Sequence, residues 1–462
     1  MILRLSKYPG FLVFALFLGF VMPGKATAQT IEDALTAAYL NNPTLLGQRA
    51  KLRATDEQVP QALANWRPTV NLTGSVGRAI SFNTARTFGG RDQIKTPRGG
   101  ELEISQPLYR GGRTLAATRG AENTVKAERH RLSATEQDVL LDAATAFLNV
   151  FRDEAVLKLN INNEQVLKRQ LEATRDRFEV GEITRTDVHQ AEARVAGAAA
   201  DRIEAEGNLE ASRAAYRNVT GQVAPRNLKP PAQPFGQPSN QEEANKAAAV
   251  SNPNVLAAEL DRKALEDNVD EVRGELLPSL NLNFSVNRDY ENVSNVNVSR
   301  GESVTASVTV PIYQQGAVYS RLREAKQKKA EQALVIDQVR RDSVETATRS
   351  WENLVSARAR VKSFKTQIDA NVVALEGVER EAQVGSRTVL DVLDAEQELL
   401  NSRNNHIRAQ RDQLVAVFEL KAAMGQLSAK NMKLRVTPYD PAKHYDQVRN
   451  KWFGASGLGE GK

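Results

Sequence analysis

The chain has 462 residues, no cysteine, 6% aromatic residues and a formal charge of +6, which falls to +3 once a leader carrying Arg4, Lys7 and Lys25 is removed. The absence of cysteine excludes disulfides, thiolate metal sites and a lipid anchor on an N-terminal cysteine, so an exported fold must be held by packing or oligomerisation. The charges are interleaved in sign with no basic stripe, which argues against nucleic acid as a partner.

Residues 1–28 read as a secretory signal. Arg4 and Lys7 form a basic start, residues 11–22 an apolar core, and Ala26-Thr27-Ala28 a small-residue cleavage site. The apolar run is about 12 residues where a membrane-spanning helix needs roughly 20. No other stretch approaches a transmembrane helix.

A helical stretch over residues 31–64 comes next, closed by Trp66-Arg67-Pro68, because proline forbids the helix from continuing. The period then changes to two. In Thr69–Val76 the even positions apart from Gly74 are apolar and the odd ones polar, and residues 101–105 repeat the alternation. Residues 79–100 between them are expected to be a loop. After Gly111-Gly112 the period becomes 3.6, with Leu140, Ala144, Phe147, Leu148, Phe151, Leu159, Val166 and Phe178 on one face. No proline interrupts residues 113–178, so this helix should reach roughly 100 Å. Val180-Gly181-Glu182 marks a tight reversal, and a second helix returns over residues 186–220.

Residues 222–240, rich in Pro and Gln, read as a linker, after which the whole pattern is written again. Pro107 to Gly221 falls on Pro311 to Gly425 at one constant offset. The second helical stretch covers residues 241–275. Alternating strands cover residues 280–287 and 304–310, with a loop over residues 289–301. The second apolar stripe runs through Ala347, Trp351, Leu354, Val361, Phe364, Ile368, Val372 and Leu375, and its tip is Val384-Gly385-Ser386. The expected organisation is therefore a first repeat over residues 29–221, the linker, a second repeat over residues 241–428, and a C-terminal equatorial segment over residues 429–462. The part of that segment beyond Met432 reads as a disordered tail.

Four strands with one apolar and one polar face, each about 11 residues from its proline, have the length and pattern of a transmembrane β-barrel wall. Single-chain barrels need about eight strands, and open edges are not tolerated in lipid. The chain must therefore share a barrel with copies of itself. The fold class expected is an α+β membrane protein with a helical coiled-coil extension.

No catalytic constellation is visible. His130, His189, His406 and His444 have no partner at metal or triad spacing, and the glycine pairs lack the Lys-Ser/Thr of a phosphate loop. One cluster stands out: Gly385-Ser386-Arg387-Thr388-Val389-Leu390-Asp391-Val392-Leu393-Asp394. Asp391 lies where an aspartate complements a helix N-terminus, and Asp394 is about one turn further in. A glycosidase-like pair fails because both share one helix face with no pocket around them. In a symmetric oligomer such a face becomes a ring of carboxylates that selects cations. The corresponding first-copy position is Asp187, near Arg185.

The doubled proline–strand–Gly-Gly–helix unit and the tip sequence 384–396 resemble the TolC family of outer-membrane efflux channels over essentially the whole exported chain. The resemblance implies a homotrimer, with a 12-stranded barrel in outer-membrane lipid and a 12-helix periplasmic tunnel closed at its tips like an iris. It implies docking to a periplasmic adaptor protein through the tips around Val180, Gly181, Val384 and Gly385. It also implies an inner-membrane pump of RND or ABC type, and a cargo of drugs, bile salts or secreted protein. No cofactor, metal or enzymatic activity is implied. Asp391 and Asp394 would form acidic entrance rings, and Arg387 would link to the partner subunit's Asp187 and the partner subunit's Thr186. A tyrosine of the family's gating network is replaced by Ala382, which puts more weight on the charged links. The rival expectation is a non-conducting coiled-coil spacer between envelope layers; the alternating strands speak against it, since a spacer needs no lipid-facing sheet.

Overall fold

The structure is a computed structural model that describes residues 30–81, 93–225, 228–229, 236, 238–292 and 297–454. The leader, residues 82–92 and 293–296 of the two strand connectors, part of the linker and residues 455–462 of the expected tail lie outside the described residues.

The helical stretch expected over residues 31–64 is three helices, α1 (Ile31–Asn41), α2 (Pro43–Asp56) and α3 (Gln58–Ala64). Strand β1 (Thr69–Val76) follows, then a small antiparallel ladder, β2 (Ala79–Ser81) with β3 (Gln93–Lys95), in the region expected to be loop. Strand β4 (Arg98–Arg110) leads through Gly111 and Gly112, both at positive φ, into α4 (Arg113–Glu179). The return helix is α5 (Arg185–Thr220). The second stretch is again broken, into α6 (Gln241–Ser251) and α7 (Pro253–Gly274). Then come β5 (Ser279–Tyr290), β6 (Val298–Thr309), α8 (Ala317–Gln383), α9 (Val389–Ala423) and a short α10 (Lys443–Val448). Helices α4 and α8 are each 67 residues long, or about 100 Å.

The break shared by both helical stretches, at Asn42 and at Asn252, has one cause. Asn42 and Asn252 each precede a proline, which removes a backbone donor and suits the first position of a new helix. Asn42 Oδ1 accepts the Thr44 N–H at 2.9 Å, while its Nδ2 donates to the Val219 carbonyl at 3.0 Å. Asn252 repeats this with the Asn254 N–H (2.9 Å) and the Ala423 carbonyl (3.1 Å). One side chain thus caps the start of α2 or α7 and the end of the returning α5 or α9. Asn252→Ala should therefore remove two caps from a nearly buried position and cost about 1–2 kcal/mol. A lowered thermal midpoint of the assembled protein would register it; an unchanged midpoint would count against the double cap.

Strands β1-β4-β5-β6 form one antiparallel sheet. Its register builds two faces. Val70, Ile104, Phe284 and Val304 form one transverse row, and Leu72, Leu102 and Val286 continue the apolar face. The opposite face carries Thr69, Ser105, Asn283 and Thr305, then Asn71, Glu103, Ser285 and Ser303. Hydroxyls and amides bridge the strands on that side: Ser105 Oγ donates to Asn283 Oδ1 at 2.7 Å, and the Ser285 and Ser303 hydroxyls are 2.9 Å apart. Val70, Leu72 and Val304 are 62%, 82% and 69% exposed in the single chain, so these positions of the apolar face are uncovered among the described residues. The outer edges of β1 and β6 are unpaired among the described residues.

The main core lies at mid-length of the long helices. Leu35 and Tyr39 of α1 and Leu45 and Leu52 of α2 pack on residues 132–150 of α4, joined by Tyr216 of α5 and Phe418 of α9. A second cluster joins Ala244 of α6 to Leu354 of α8 and Leu420 of α9. Towards the sheet, α4 and α8 run beside α7, tied by Asn123 to Asp267, Arg131 to Asp261 and Lys329 to Glu266. Away from it they pair with α5 and α9 as hairpins. Phe178, expected on the packed face, is 42% exposed in the single chain, because the α4 stripe ends before the tip.

The segment expected to be a disordered tail is ordered over residues 433–454. Leu434 joins the main core, and Arg49 lies over both the Tyr39 and Tyr439 rings at 4.5 and 5.1 Å. His444 Nδ1 sits 3.0 Å from the buried Asp56 Oδ2, and burial raises the Asp56 carboxyl above its usual range while His444 opposes the shift. Arg67 donates to the Lys451 carbonyl at 2.8 Å and lies over the Trp452 ring. Weak periodicity reflects a strap that follows the surface of other elements instead of forming a helix face of its own.

Candidate functional site

The hairpin tips gather the candidate residues, and both are built the same way. Helix α4 stops at Val180, where Gly181 takes φ +82° and so turns the chain without a Cβ penalty. The Gly181 N–H donates to the Phe178 carbonyl and the Glu182 N–H to the Arg177 carbonyl, each at 2.9 Å. At the second tip Gly385 takes φ +79°, with its N–H on Ala382 and the Ser386 N–H on Glu381. Val180 and Val384 project at 72% and 80% exposure.

Each return helix opens on a capping box. Thr184 and Asp187 cap α5, and Thr388 and Asp391 cap α9. Asp391 Oδ2 accepts the Thr388 N–H at 2.9 Å and its hydroxyl at 2.8 Å. Those two donors, with the Arg387 guanidinium adding to them, hold the Asp391 carboxyl below the usual range. A depressed carboxylate contributes to tip stability at neutral pH, and that contribution is lost as pH falls through the depressed value. Thr186 is exposed in the first turn of α5, beside its neighbour Asp187.

The two tips carry internal ion pairs of opposite polarity. Arg177 pairs forward with Glu182 at 3.0 Å, whereas Glu381 pairs forward with Arg387 at 2.9 Å. Within one protomer Arg387 is thus bound to Glu381, whose carboxylate raises the guanidinium above its ordinary range. Asp394 is not part of the capping box. It meets Arg194 of α5 and so links the two hairpins. Beside this link Leu167 of α4, Ala191 and Ala198 of α5, and Val389 and Leu393 of α9 form one apolar cluster. Ala382 is buried between α8 and α9 with Val392 and Leu399.

The structure brings together Arg387 and Asp391, keeps Asp187 in its own cap, and separates Asp394 from Asp391 by their different partners. Sequence reasoning gave no role to Thr184 or Thr388, although both stand in the tip sequences, and it missed Glu381 and Arg194. The two Thr-x-x-Asp spacings carried a readable signal for the caps. Arg194 carried none, since its partner lies in the other repeat.

A sheet with one apolar and one polar face, continuous with two hairpins of this length, defines the class of outer-membrane channel subunits. The chain belongs to the outer membrane efflux protein family, whose profile matches residues 34–222 and 245–426. It is 31% identical to the outer membrane efflux protein BepC of Brucella suis over 443 residues, covering 94% of each chain. It is 27% identical to the outer membrane protein TolC of Vibrio cholerae, covering 88% of this chain and 92% of that one. The crystal structure of the outer membrane protein VceC from Vibrio cholerae has the same fold: TM-score 0.74 at 18% identity, over 86% of this chain and 96% of that one. Membership of this family puts the protein in the outer membrane.

Proposed function

We propose that the chain is one third of a homotrimeric, non-enzymatic exit duct for efflux or secretion. The carrying observation is the sheet: one apolar face, one polar face and two unpaired edges in four strands. Pairing of β6 with the next copy's β1 would remove both edges and close a barrel of 12 strands around a polar lumen. The two halves of the chain then act as tandem repeats, each giving two strands and one long hairpin to the tube. A periplasmic adaptor docks on the tips around Val180, Gly181, Val384 and Gly385, and an inner-membrane pump of RND or ABC type supplies energy to a passive conduit. Drugs, toxic compounds or secreted protein are the cargo.

At the periplasmic entrance the tips close as an iris. Asp391 and Asp394 from three copies form acidic rings. Arg387 exchanges between its own Glu381 and the partner subunit's Asp187 and the partner subunit's Thr186. The opposite polarity of the two tips supports this, because each places an ion pair where the other tip carries the complementary order. Planar-bilayer recording of the purified protein tests the reading: a small, cation-selective conductance that copurifies with the trimer is expected. Absence of any such conductance would overturn the duct and leave the spacer. Arg387→Ser should raise the resting conductance, since the closing link is lost; unchanged conductance would remove Arg387 from the gate.

A further inference from the structure

The apolar face of the sheet changes character at the end remote from the helices. Outward from the Phe284 row come Leu72, Leu102, Val286 and Glu302, then Gly74, Gly100, Arg288 and Arg300, and last Val76, Arg98, Tyr290 and Val298. Two glycines lie side by side in the third of these rows. A Cβ at Gly74 would meet nothing within 4 Å, and one at Gly100 only the Thr73 carbonyl at 3.8 Å. The result is a shallow notch with a bare backbone floor. Arg98 and Arg288 both lie over the Tyr290 ring, 5.4 and 5.2 Å from its centroid. Arg300 stands on the next strand and pairs with Glu302. Among the described residues neither Arg98 nor Arg288 is paired with a carboxylate.

Three guanidiniums against one carboxylate make the notch cationic on a face that is otherwise apolar. Arginine on the lipid side of a barrel costs about 2–4 kcal/mol at mid-membrane and close to nothing at the interface. Arg288 lies four residues beyond Phe284, about 13 Å along the strand at roughly 3.3 Å per residue. That brings its head group within reach of the outer boundary of a core roughly 30 Å thick. The tyrosine is the residue type found at that level. Stacking on its ring holds two of the guanidiniums in place ahead of any ligand.

We propose that this notch binds the phosphorylated sugar headgroup of a glycolipid in the outer leaflet. Arg98, Arg288 and Arg300 pair with phosphate oxygens in the bidentate manner that guanidinium geometry allows. The glycine floor lets a sugar ring approach the backbone beside them. The assignment rests on the reading that the apolar face of the sheet lies in lipid.

Native mass spectrometry of the trimer, exchanged into detergent with lipid A or with phosphatidylglycerol, tests it. Wild type should retain lipid A and retain phosphatidylglycerol only weakly. Each of Arg98→Gln, Arg288→Gln and Arg300→Gln should weaken lipid A retention by about tenfold, the loss of one charge-assisted contact. Gly100→Val, which fills the notch and keeps every charge, should lower lipid A retention and leave phosphatidylglycerol unchanged. Lipid A held equally by wild type and the arginine variants overturns the proposal. So does a preference for phosphatidylglycerol, which would make the patch a general anionic surface. Incorporation of the same trimers into lipid nanodiscs separates the two levels: failure to incorporate sinks the lipid-facing sheet itself, whereas incorporation without lipid A binding sinks only the notch.

Discussion

Phe284→Arg should keep the chain out of the outer membrane, whereas Ser285→Arg, one residue further along β5, should be tolerated. Phe284 lies in the middle of a 12-residue strand and in the row with Val70, Ile104 and Val304. An arginine there costs about 2–4 kcal/mol per copy at mid-membrane, and a trimer carries the cost three times. That total is comparable with the whole stability of an ordinary domain, about 5–15 kcal/mol. Ser285 points to the opposite face, beside Glu103 and Ser303, where a cation meets a polar surface and the Glu103 carboxylate. Fractionation of cell envelopes, with trimer yield measured in the outer-membrane fraction, separates the two variants. Equal insertion of both would reverse or abolish the assignment of faces.

Removing the charges of Asp391 and Asp394 together should abolish block of the channel by multivalent cations such as hexaamminecobalt. Asparagine is the better replacement at 391, because its side-chain oxygen can still accept the Thr388 N–H that now goes to the carboxylate. The tip then keeps its shape while the proposed ring loses its charge. Arg194→Ala should act in the other direction. In the resting protomer Arg194 neutralises Asp394, so its loss frees three carboxylates per trimer and should deepen the block. Both partners are partly exposed, and an exposed pair is worth about 0–1 kcal/mol, so the link constrains charge more than it constrains structure. Block unchanged in both variants would return Asp391 to helix capping alone and Asp394 to a surface ion pair.

The long-range plan of the molecule was legible because two periods alternate along the chain. Period two in Thr69–Val76 and in residues 280–287 marked strands whose faces the register confirms. Proline-free runs at period 3.6 marked α4 and α8 to within one residue at their outer ends. Local contradictions were harder. Asn42-Pro43 and Asn252-Pro253 stop one helix and start the next at once, so apolar spacing continues across a break that only the cap chemistry reveals. The strap over residues 433–454 is held by single contacts to distant partners, Tyr39, Asp56 and Arg67, and no local pattern can encode those. At the tips, glycines and aspartates were readable because turn and cap chemistry is local. Glu381 as the resting partner of Arg387, and Arg194 as that of Asp394, depend on how helices are placed beside one another.

The mid-length position of the core divides the long helices into two arms of similar length. On α4 the packed cluster ends near Leu157, and the tip lies beyond Glu179, about 33 Å away at 1.5 Å per residue. In the proposed duct the core would serve as a fulcrum and each hairpin as a lever. A tilt of about 10° at the fulcrum, small enough to be absorbed by sliding of packed side chains, moves the tip by roughly 6 Å at that arm length. An adaptor docked on the tip as proposed would, by pulling on one exposed valine, exert torque on the whole hairpin. The sheet, on the other side of the fulcrum and fixed by its ladder of hydrogen bonds, need not move at all.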